Sequence, residues 1–283
     1  MADAFTGVTG AASALVIAVP LGGVLLAAAA RRKEPRTRPE PPSYHFWTNL
    51  TFGVLSGAAA TFVTSSPEHS VRGFMSAQGW GLLRWLGVKG WANVAVSFVV
   101  LDLANCLNHW LFHHVPFFWR FHKVHHSETH FDYSTFFRTH WGEDVLDFLP
   151  NMFWIAVLGP TMAATLGYEV FDRLWSQLQH SNLRLPARLE AALSRVLLTP
   201  EKHFIHHSSD VVQTNSNYAT FFAWDRLLGT YRADDPAAVV PGLPEHRDPA
   251  ALGFWGLMVM PFRAAAASSS LEASLSSEGR EAA

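Results

Sequence analysis

The chain has 283 residues, 49% of them hydrophobic and only 16% charged, so it can form one sizeable domain but is poor in charge for a water-soluble one. Its net charge of −2 provides no basic field, which argues against a nucleic-acid partner. A single cysteine, Cys106, excludes an intrachain disulfide, a cysteine-based zinc site and an iron–sulfur cluster, so any metal must bind through nitrogen or oxygen.

The first predicted element is a membrane-spanning helix between Phe5 and Ala30. This stretch carries no charged residue and exceeds the roughly 20 apolar residues that a helix needs to cross a bilayer. Positive charges follow it in the segment 31–38 instead of preceding it, which indicates an uncleaved anchor and not a secretory signal. The positive-inside rule then places the Pro- and Arg-rich linker in the cytoplasm, and residues 1–42 are predicted to form an anchor with its linker.

Two further apolar helices are predicted, one over Phe46–Ser66 and one that begins near Gly90. The first contains Gly53 and Gly57, a small-xxx-small spacing that lets two membrane helices approach closely. Tryptophans between the two helices are typical of a membrane interface. The second helix is apolar as far as Leu101 and then becomes polar, so chemistry is expected where it leaves the membrane.

The stretch Val145–Tyr168 predicts a hairpin and not a single crossing, because Gly159 and Pro160 interrupt it. A more polar helix is predicted from about Glu169 to His180. The hairpin would bring the end of this helix, with His180, back to the membrane face at which the preceding apolar helix ends.

The last apolar stretch, Ala250–Phe262, is too short to span a bilayer. Residues 236–283 are therefore predicted to be a surface segment followed by a disordered tail. Residues 43–235 are the main domain. The expected fold is an all-α integral membrane protein with about four transmembrane or re-entrant helices and a cytoplasmic helical cap that carries a histidine-rich dimetal site.

Histidines are clustered in three boxes. Residues three or four apart share a helix face, so His109 and His113 can bind one ion from successive turns. The pattern H-x-x-H-H then occurs twice, the second time after a helix start at Thr199-Pro200. The two patterns comprise His122, His125 and His126, and His203, His206 and His207. A lone histidine is more often an ordinary polar residue, but such clusters beside a bilayer are costly unless they are functional.

The number of histidines predicts two ions. The boxes supply eight, and His180, which lies between them, makes nine. One tetrahedral zinc needs four ligands, whereas nine imidazoles suit two ions of five or six coordination, and imidazole binds iron as well as zinc. Among the histidines outside this set, four are interpreted as ordinary polar residues: His45, His69, His114 and His246.

Three polar residues are candidates for supporting the ligands. Asp102 lies seven residues before His109 on nearly the same helix face, so its carboxylate could accept a hydrogen bond from a ligand imidazole, the alternative being contact with solvent. Asn182 and Asn217 could lie behind the ligands or bind through water, the alternative being helix or turn capping. Trp224, Asp225, Arg226, Gly229 and Thr230 are predicted to fold the C-terminal cap against the metal domain.

The motifs resemble those of the fatty acid hydroxylase superfamily, also called the sterol desaturase family. The similar segments, in order, are Asn108–His113, Val115–Ser127, Gln179–Pro186, Leu198–Ser208, and Asn217 with Trp224–Thr230. The similarity covers roughly Val94 to Arg232, and the joined first two boxes are its most specific part.

The resemblance implies an O2-dependent oxygenase with two iron ions that hydroxylates or desaturates a membrane lipid, such as a fatty acyl chain or a sterol. The eight box histidines and His180 match the family's ligand positions, on the cytoplasmic face of a multi-pass membrane protein. A separate electron donor is expected, namely a cytochrome b5-like protein, a ferredoxin or a reductase. Arg138–His140 and Glu143 resemble a family element read Arg-x-His-Pro-x-Glu, with Trp141 in place of proline. Whether His140 is a metal ligand or lies behind the ligands stays open, and Glu143 shares that question.

Two other functions stay open at the level of sequence. A membrane metal transporter would use the same histidines for transfer and consume no O2, although it favours metal-binding residues deep inside several spans. A structural protein with an inactive zinc site predicts the loss of ligands, yet all nine positions are intact.

Overall fold

The computed structural model describes residues 45–263, which form helices and loops with no β-strand in that range. The all-α part of the prediction is therefore confirmed. The predicted span Phe5–Ala30, most of the N-terminal linker and the chain after residue 263 lie outside the described residues.

Eleven α-helices follow one another in the described range, and most are short. In chain order they are α1 His45–Gln78, α2 Leu82–Trp85, α3 Gly90–His114, α4 Pro116–His126, α5 Trp141–Leu158, α6 Met162–Gln179, α7 Ala187–Leu193, α8 Pro200–His206, α9 Val211–Thr214, α10 Ala223–Leu228 and α11 Phe254–Val259. Four 3-10 turns lie at Tyr133–Phe137, Pro236–Ala238, Pro249–Leu252 and Met260–Phe262.

Two helices are long and apolar enough to cross a membrane: the His45–Pro67 part of α1, and α3. Only 22% and 33% of their most apolar windows are buried inside the protein, so most of this apolar surface faces outward. Phe62, for example, is 88% exposed. Such surface is costly in water, which favours a bilayer as the medium around these helices.

Helix α1 is longer than predicted. It was expected to end at Ser66 but continues through Pro67 to Gln78. Beyond the proline, Val71 packs against the cluster that contains Ile155 of α5, and Met75 is buried. Tertiary packing therefore extends the helix past a residue that disfavours helix continuation in isolation.

The hairpin between α5 and α6 turns at the predicted position. Gly159 ends α5 in the left-handed conformation, with φ of 63°, and the Thr161 side chain caps α6 by accepting a hydrogen bond from the Ala164 N–H. The polar helix expected to begin at Glu169 is not separate, because α6 is continuous from Met162 to Gln179. The change in composition lies within one helix, which continues through Gly167.

The C-terminal segment joins α1 to α4. Leu257 and Met260 are almost fully buried and pack with Phe52 of α1 and Val124 of α4. Trp255, by contrast, is 76% exposed. The segment predicted to lie on the surface is thus amphipathic, and its inner face holds α4 in place above the membrane helices.

Candidate metal centre

Four segments of the chain carry the histidines to one place. The last turns of α3 hold the first box, and α4 starts immediately afterwards at Pro116, so the second box reaches its own last turns. His180 ends α6. Helix α8 begins at Pro200, with the Thr199 hydroxyl accepting from the Lys202 N–H, and carries the third box.

Within this region the nine histidines form two clusters, and the ligand nitrogens in each lie within 4.8 Å of one another. The five-histidine cluster contains His109, His113, His122, His126 and His206, and the four-histidine cluster contains His125, His180, His203 and His207. Each H-x-x-H-H box is therefore divided between the clusters. Helices α4 and α8 lie between the two groups and contribute to both.

The spacing of the inward-facing nitrogens suits binding to a shared ion in each cluster. Neighbouring Nε2 atoms in the clusters are 2.9–3.2 Å apart. Two nitrogens at right angles on an ion with bonds of about 2.0–2.1 Å are about 2.9 Å apart, whereas two at the tetrahedral angle are about 3.3 Å apart. The observed separations lie between these two values and so fit nitrogens that share one ion, and the five-membered cluster exceeds the four ligands of a tetrahedral zinc site.

Hydrogen bonds to the outer nitrogens show that the inner ones carry lone pairs. His109 Nδ1–H donates to the Tyr218 carbonyl at 3.0 Å, and His206 Nδ1–H donates to the Ser216 carbonyl at 2.6 Å. A carbonyl can only accept, so both protons must be on Nδ1. The two Nε2 lone pairs then face each other at 3.1 Å. This arrangement is repulsive unless a cation lies between them, so the residues fit a bound metal.

Burial keeps the histidines outside the membrane segments neutral. It lowers the pKa of His122 to about 3 and that of His180 to about 4, both below the ordinary value of 6.5. The pKa values of His125, His126, His203, His206 and His207 are also well below that value, chiefly through burial. A metal therefore finds neutral imidazoles at neutral pH.

Glu143 lies behind the five-histidine cluster. His122 Nδ1–H donates to its carboxylate at 2.6 Å, while His122 Nε2 lies within the cluster. A carboxylate in this position fixes the tautomer and makes the imidazole a stronger ligand. The structure thus places Glu143 behind a candidate ligand.

His140 is outside both clusters. Its Nδ1 accepts a hydrogen bond from the Gly142 N–H at 3.0 Å, which caps α5, and its Nε2–H donates to the Met258 carbonyl at 3.2 Å. Both ring nitrogens are therefore used by the protein. His140 joins the start of α5 to the C-terminal segment.

Asp102 does not contact a ligand imidazole through any hydrogen bond in the described part of the chain. Its carboxylate accepts from the Phe221 N–H at 2.9 Å and, more weakly, from the Tyr168 hydroxyl. The seven-residue spacing correctly places Asp102 on the inner face of α3. At this position along α3, however, the neighbouring group is the Phe221 N–H in the loop before α10 and not an imidazole.

Asn217 is a turn residue. It is the one non-glycine residue with positive φ, 56°, among residues 45–263. Its side chain donates to the Lys202 carbonyl at 3.0 Å and accepts from the Arg232 N–H at 2.9 Å. Asn182 lies in the turn after α6, two residues beyond His180, and its support of the ligands stays a prediction.

A third group, His45, Glu128 and His130, also has the composition of a metal site. It borders a cavity of about 210 Å³. The buried Arg138 guanidinium is 3.6 Å from the Glu128 carboxylate, and His45 is 3.5 Å from both Glu128 and Asp132. Arg138 would repel a metal cation. We therefore interpret this group as an ion-pair network that joins the start of α1 to the end of α4.

The remaining described histidines outside the boxes have other surroundings. His114 is exposed, donates its Nδ1–H to the Trp110 carbonyl and stacks on the Trp110 ring. His246 is partly exposed in the loop before Pro249–Leu252.

Three main-chain carbonyls that accept hydrogen bonds from candidate ligands were not predicted, that of Ser176 and the neighbouring pair of Ser216 and Tyr218. Main-chain atoms leave no mark in the sequence, because every residue has a carbonyl. The only available signal was Asn217 between the residues of that pair, since asparagine tolerates the left-handed conformation better than most residues.

Comparisons with known proteins agree with this geometry. Residues 94–230 match the family model described as Fatty acid hydroxylase. The chain is 27% identical over 139 residues to an alkylglycerol monooxygenase of Caenorhabditis elegans, covering 48% of this chain and 26% of that protein. It is 26% identical over 140 residues to the ornithine lipid hydroxylase OlsE of Rhizobium tropici, covering 49% and 41%.

A second alkylglycerol monooxygenase, from Xenopus tropicalis, is 24% identical over 140 residues, covering 48% of this chain and 30% of that protein. The matched region thus spans less than half the length of each of these relatives. No solved structure matches the chain significantly.

Proposed function

We propose that this chain is a member of the fatty acid hydroxylase family, whose model its residues 94–230 match, and that it is a membrane-embedded di-iron oxygenase that uses O2 to hydroxylate a lipid. The observation that carries the proposal is the convergence of nine imidazoles into a cluster of five and a cluster of four. The five-histidine cluster includes His109 and His113 from the last turns of α3, a helix apolar enough to cross a bilayer. A metal that attacks a lipid must be held at such a position.

The chain's own residues prepare the site for iron. Five histidines would hold one ion and four the other, and imidazole together with open positions suits iron that reacts with O2. Bound iron would supply O2 activation and the oxidation of an unactivated C–H bond. Glu143 and the carbonyls of Ser216 and Tyr218 hold three imidazoles in the tautomer that binds metal.

The surroundings support a lipid substrate. Outward-facing apolar surfaces on α1 and α3 lead to the clusters, and the α5–α6 hairpin packs against α3. We propose a multi-pass protein in which residues 1–42 form an anchor, residues 43–235 form the catalytic domain and the metal centre faces the cytoplasm. The relatives named for alkylglycerol and ornithine lipid favour hydroxylation over desaturation. Electrons would come from a separate carrier, such as a cytochrome b5-like protein, a ferredoxin or a reductase.

Lipid analysis of cells with and without the gene, grown under 18O2, tests the reaction. A hydroxylase yields a lipid heavier by one oxygen atom that carries the isotope. A desaturase yields a lipid lighter by two hydrogen atoms. An unchanged lipid profile in cells that contain iron-loaded protein and a working electron supply would contradict both reactions.

Variants connect the reaction to the metal centre. His125→Ala and His206→Ala, one from each cluster, should abolish both iron binding and the lipid product. Activity with a full iron content in either variant would overturn the assignment. Iron or zinc accumulation in membrane vesicles without O2 consumption would favour the transport function instead.

A further inference from the structure

The two clusters differ in what holds the outer nitrogens of their imidazoles. In the five-histidine cluster, three Nδ1–H groups donate to partners on distant parts of the chain. His109 donates to the Tyr218 carbonyl, His206 to the Ser216 carbonyl and His122 to the Glu143 carboxylate, at 3.0, 2.6 and 2.6 Å.

The four-histidine cluster has weaker outer support. His180 Nδ1–H donates to the Ser176 carbonyl of its own helix at 2.7 Å. The Nδ1 atoms of His125, His203 and His207 are buried, and none has a hydrogen-bond partner in the range 45–263. The Nδ1 atoms of His113 and His126 in the five-histidine cluster also have none in this range, so three of five outer nitrogens are supported there and one of four here.

The segment Ser216–Tyr218 supplies two of the three supports in the five-histidine cluster. The left-handed Asn217 lies between the two accepting carbonyls and is itself fully buried. Its side chain fixes the turn to the Lys202 carbonyl and to Arg232. One unusual backbone conformation thus sets the direction of two carbonyls that face two ligands of the same cluster.

A buried carboxylate holds the other end of this segment. Asp225 accepts from the Tyr218 N–H at 2.8 Å, from the Ala219 N–H at 2.9 Å and from the Thr230 hydroxyl at 2.6 Å. Asp225 is fully buried and contacts no histidine through a hydrogen bond among the described residues. Its contribution to the metal centre therefore passes through the main chain of the segment.

We infer that Ser216–Tyr218, fixed by Asn217 and Asp225, is a metal-retention segment that makes the five-histidine cluster the tight site and leaves the four-histidine cluster as the exchangeable one. Partners behind a ligand typically change metal affinity by about 10- to 100-fold. The inference rests on the proposed two-ion centre. Asn217 and Asp225 are positioning residues in it, since neither touches the metal.

Anaerobic release of iron from the loaded protein to the chelator ferrozine tests the order of the two sites. The wild type should release one ion at least about tenfold faster than the other. His207→Ala should remove the fast phase and His109→Ala the slow phase, which assigns each phase to a cluster. Release of both ions at one rate would overturn the inference while leaving the proposed function intact.

A matched pair at Asn217 tests the segment itself. Asn217→Gly and Asn217→Ala lose the same side-chain hydrogen bonds, but only glycine adopts positive φ at no cost. Asn217→Ala should accelerate the slow phase about tenfold and leave the fast phase unchanged, whereas Asn217→Gly should lie closer to the wild type. Slow release from both variants at the wild-type rate would overturn the role of the segment.

Two more variants separate positioning from general stability. Asp225→Asn should also accelerate only the slow phase, so the test does not depend on the folding of Asn217→Ala. Arg226→Gln removes hydrogen bonds to Ser194 and Arg195 in the same C-terminal region and should leave both phases unchanged. Equal acceleration of both phases by Asp225→Asn would show that the segment supports the whole fold and not the five-histidine cluster in particular, which would overturn the inference. Binding of no iron by the wild type would instead overturn the proposed function.

Discussion

His122 and His140 show how the environment gives two histidines different roles. Each forms a hydrogen bond through Nδ1. The Nε2 atom of His122 faces the other imidazoles of its cluster, whereas both ring nitrogens of His140 are hydrogen-bonded to main-chain groups. The residue type alone does not distinguish them. What distinguishes them is the main chain of α5 and the Met258 carbonyl, which occupy both nitrogens of His140.

His140→Ala and His125→Ala should therefore behave differently. His140→Ala should keep two bound iron ions per chain and lose stability, because an α5 cap and one further hydrogen bond disappear, which is worth about 1–2 kcal/mol. His125→Ala should lose iron. Metal analysis by mass spectrometry, with thermal unfolding in detergent, measures both quantities. Loss of one ion from His140→Ala would contradict the capping role.

Glu143→Gln should weaken iron binding without unfolding the protein. The amide keeps the size of the side chain but removes the negative charge next to His122 Nδ1–H, so we expect affinity to fall about 10- to 100-fold. Competition with a chelator of known affinity measures the change. Glu201→Gln is the matched control, because Glu201 pairs with Lys202 near the third box and is partly exposed. An equal loss of iron affinity in the two variants would contradict a specific role of Glu143 in the metal centre.

At the level of elements, α4 carries three histidines that contribute to both clusters. A small rotation of this helix would misplace ligands of both ions. Arg138 prevents it by donating Nε–H to the Val124 carbonyl at 3.0 Å and a terminal N–H to the Ser127 hydroxyl at 2.9 Å. Both acceptors are at the end of α4, so a buried guanidinium sets the orientation of the second box.

The two glycines of the small-residue motif on α1 differ in how closely they are packed. At Gly53 an added methyl group would overlap the Phe137 main chain, whereas at Gly57 it would meet nothing within 4 Å. Gly53→Ala should destabilise the protein by about 1–3 kcal/mol, because α1 must move away from the Tyr133–Phe137 turn. Gly57→Ala should unfold at the wild-type temperature or slightly above it. Equal unfolding temperatures for the two variants would contradict this packing.

At the scale of the whole molecule, the metal centre and the start of α1 lie on the same side. His45 lies beside Glu128, which follows the second box by two residues. The positive segment 31–38 precedes His45 in the chain, and such charges favour the cytoplasm. Helix α3 has Lys89 at one end and the first box near the other, about 30–36 Å away.

Cysteine labelling with a membrane-impermeant maleimide tests this topology. The single native cysteine, Cys106, is fully buried and should not react. Val211→Cys, at an exposed position after the third box, should label from the cytoplasmic side. Lys89→Cys, also exposed, should label from the opposite side. Labelling of both cysteines from one side would contradict a membrane-spanning α3.

Local sequence patterns were sufficient to predict the helical class, the turn at Gly159-Pro160 and the set of nine clustered histidines, because periodicity and helix-breaking residues act over short distances. The division of these histidines into five and four, the use of both nitrogens of His140 and the contact of Asp102 with a loop follow only from the folded structure. The continuation of α1 past Pro67 does too. These features depend on contacts between segments far apart in the chain, and two of the groups that hold the imidazoles, the carbonyls of Ser216 and Tyr218, are main-chain atoms that no side-chain pattern can reveal.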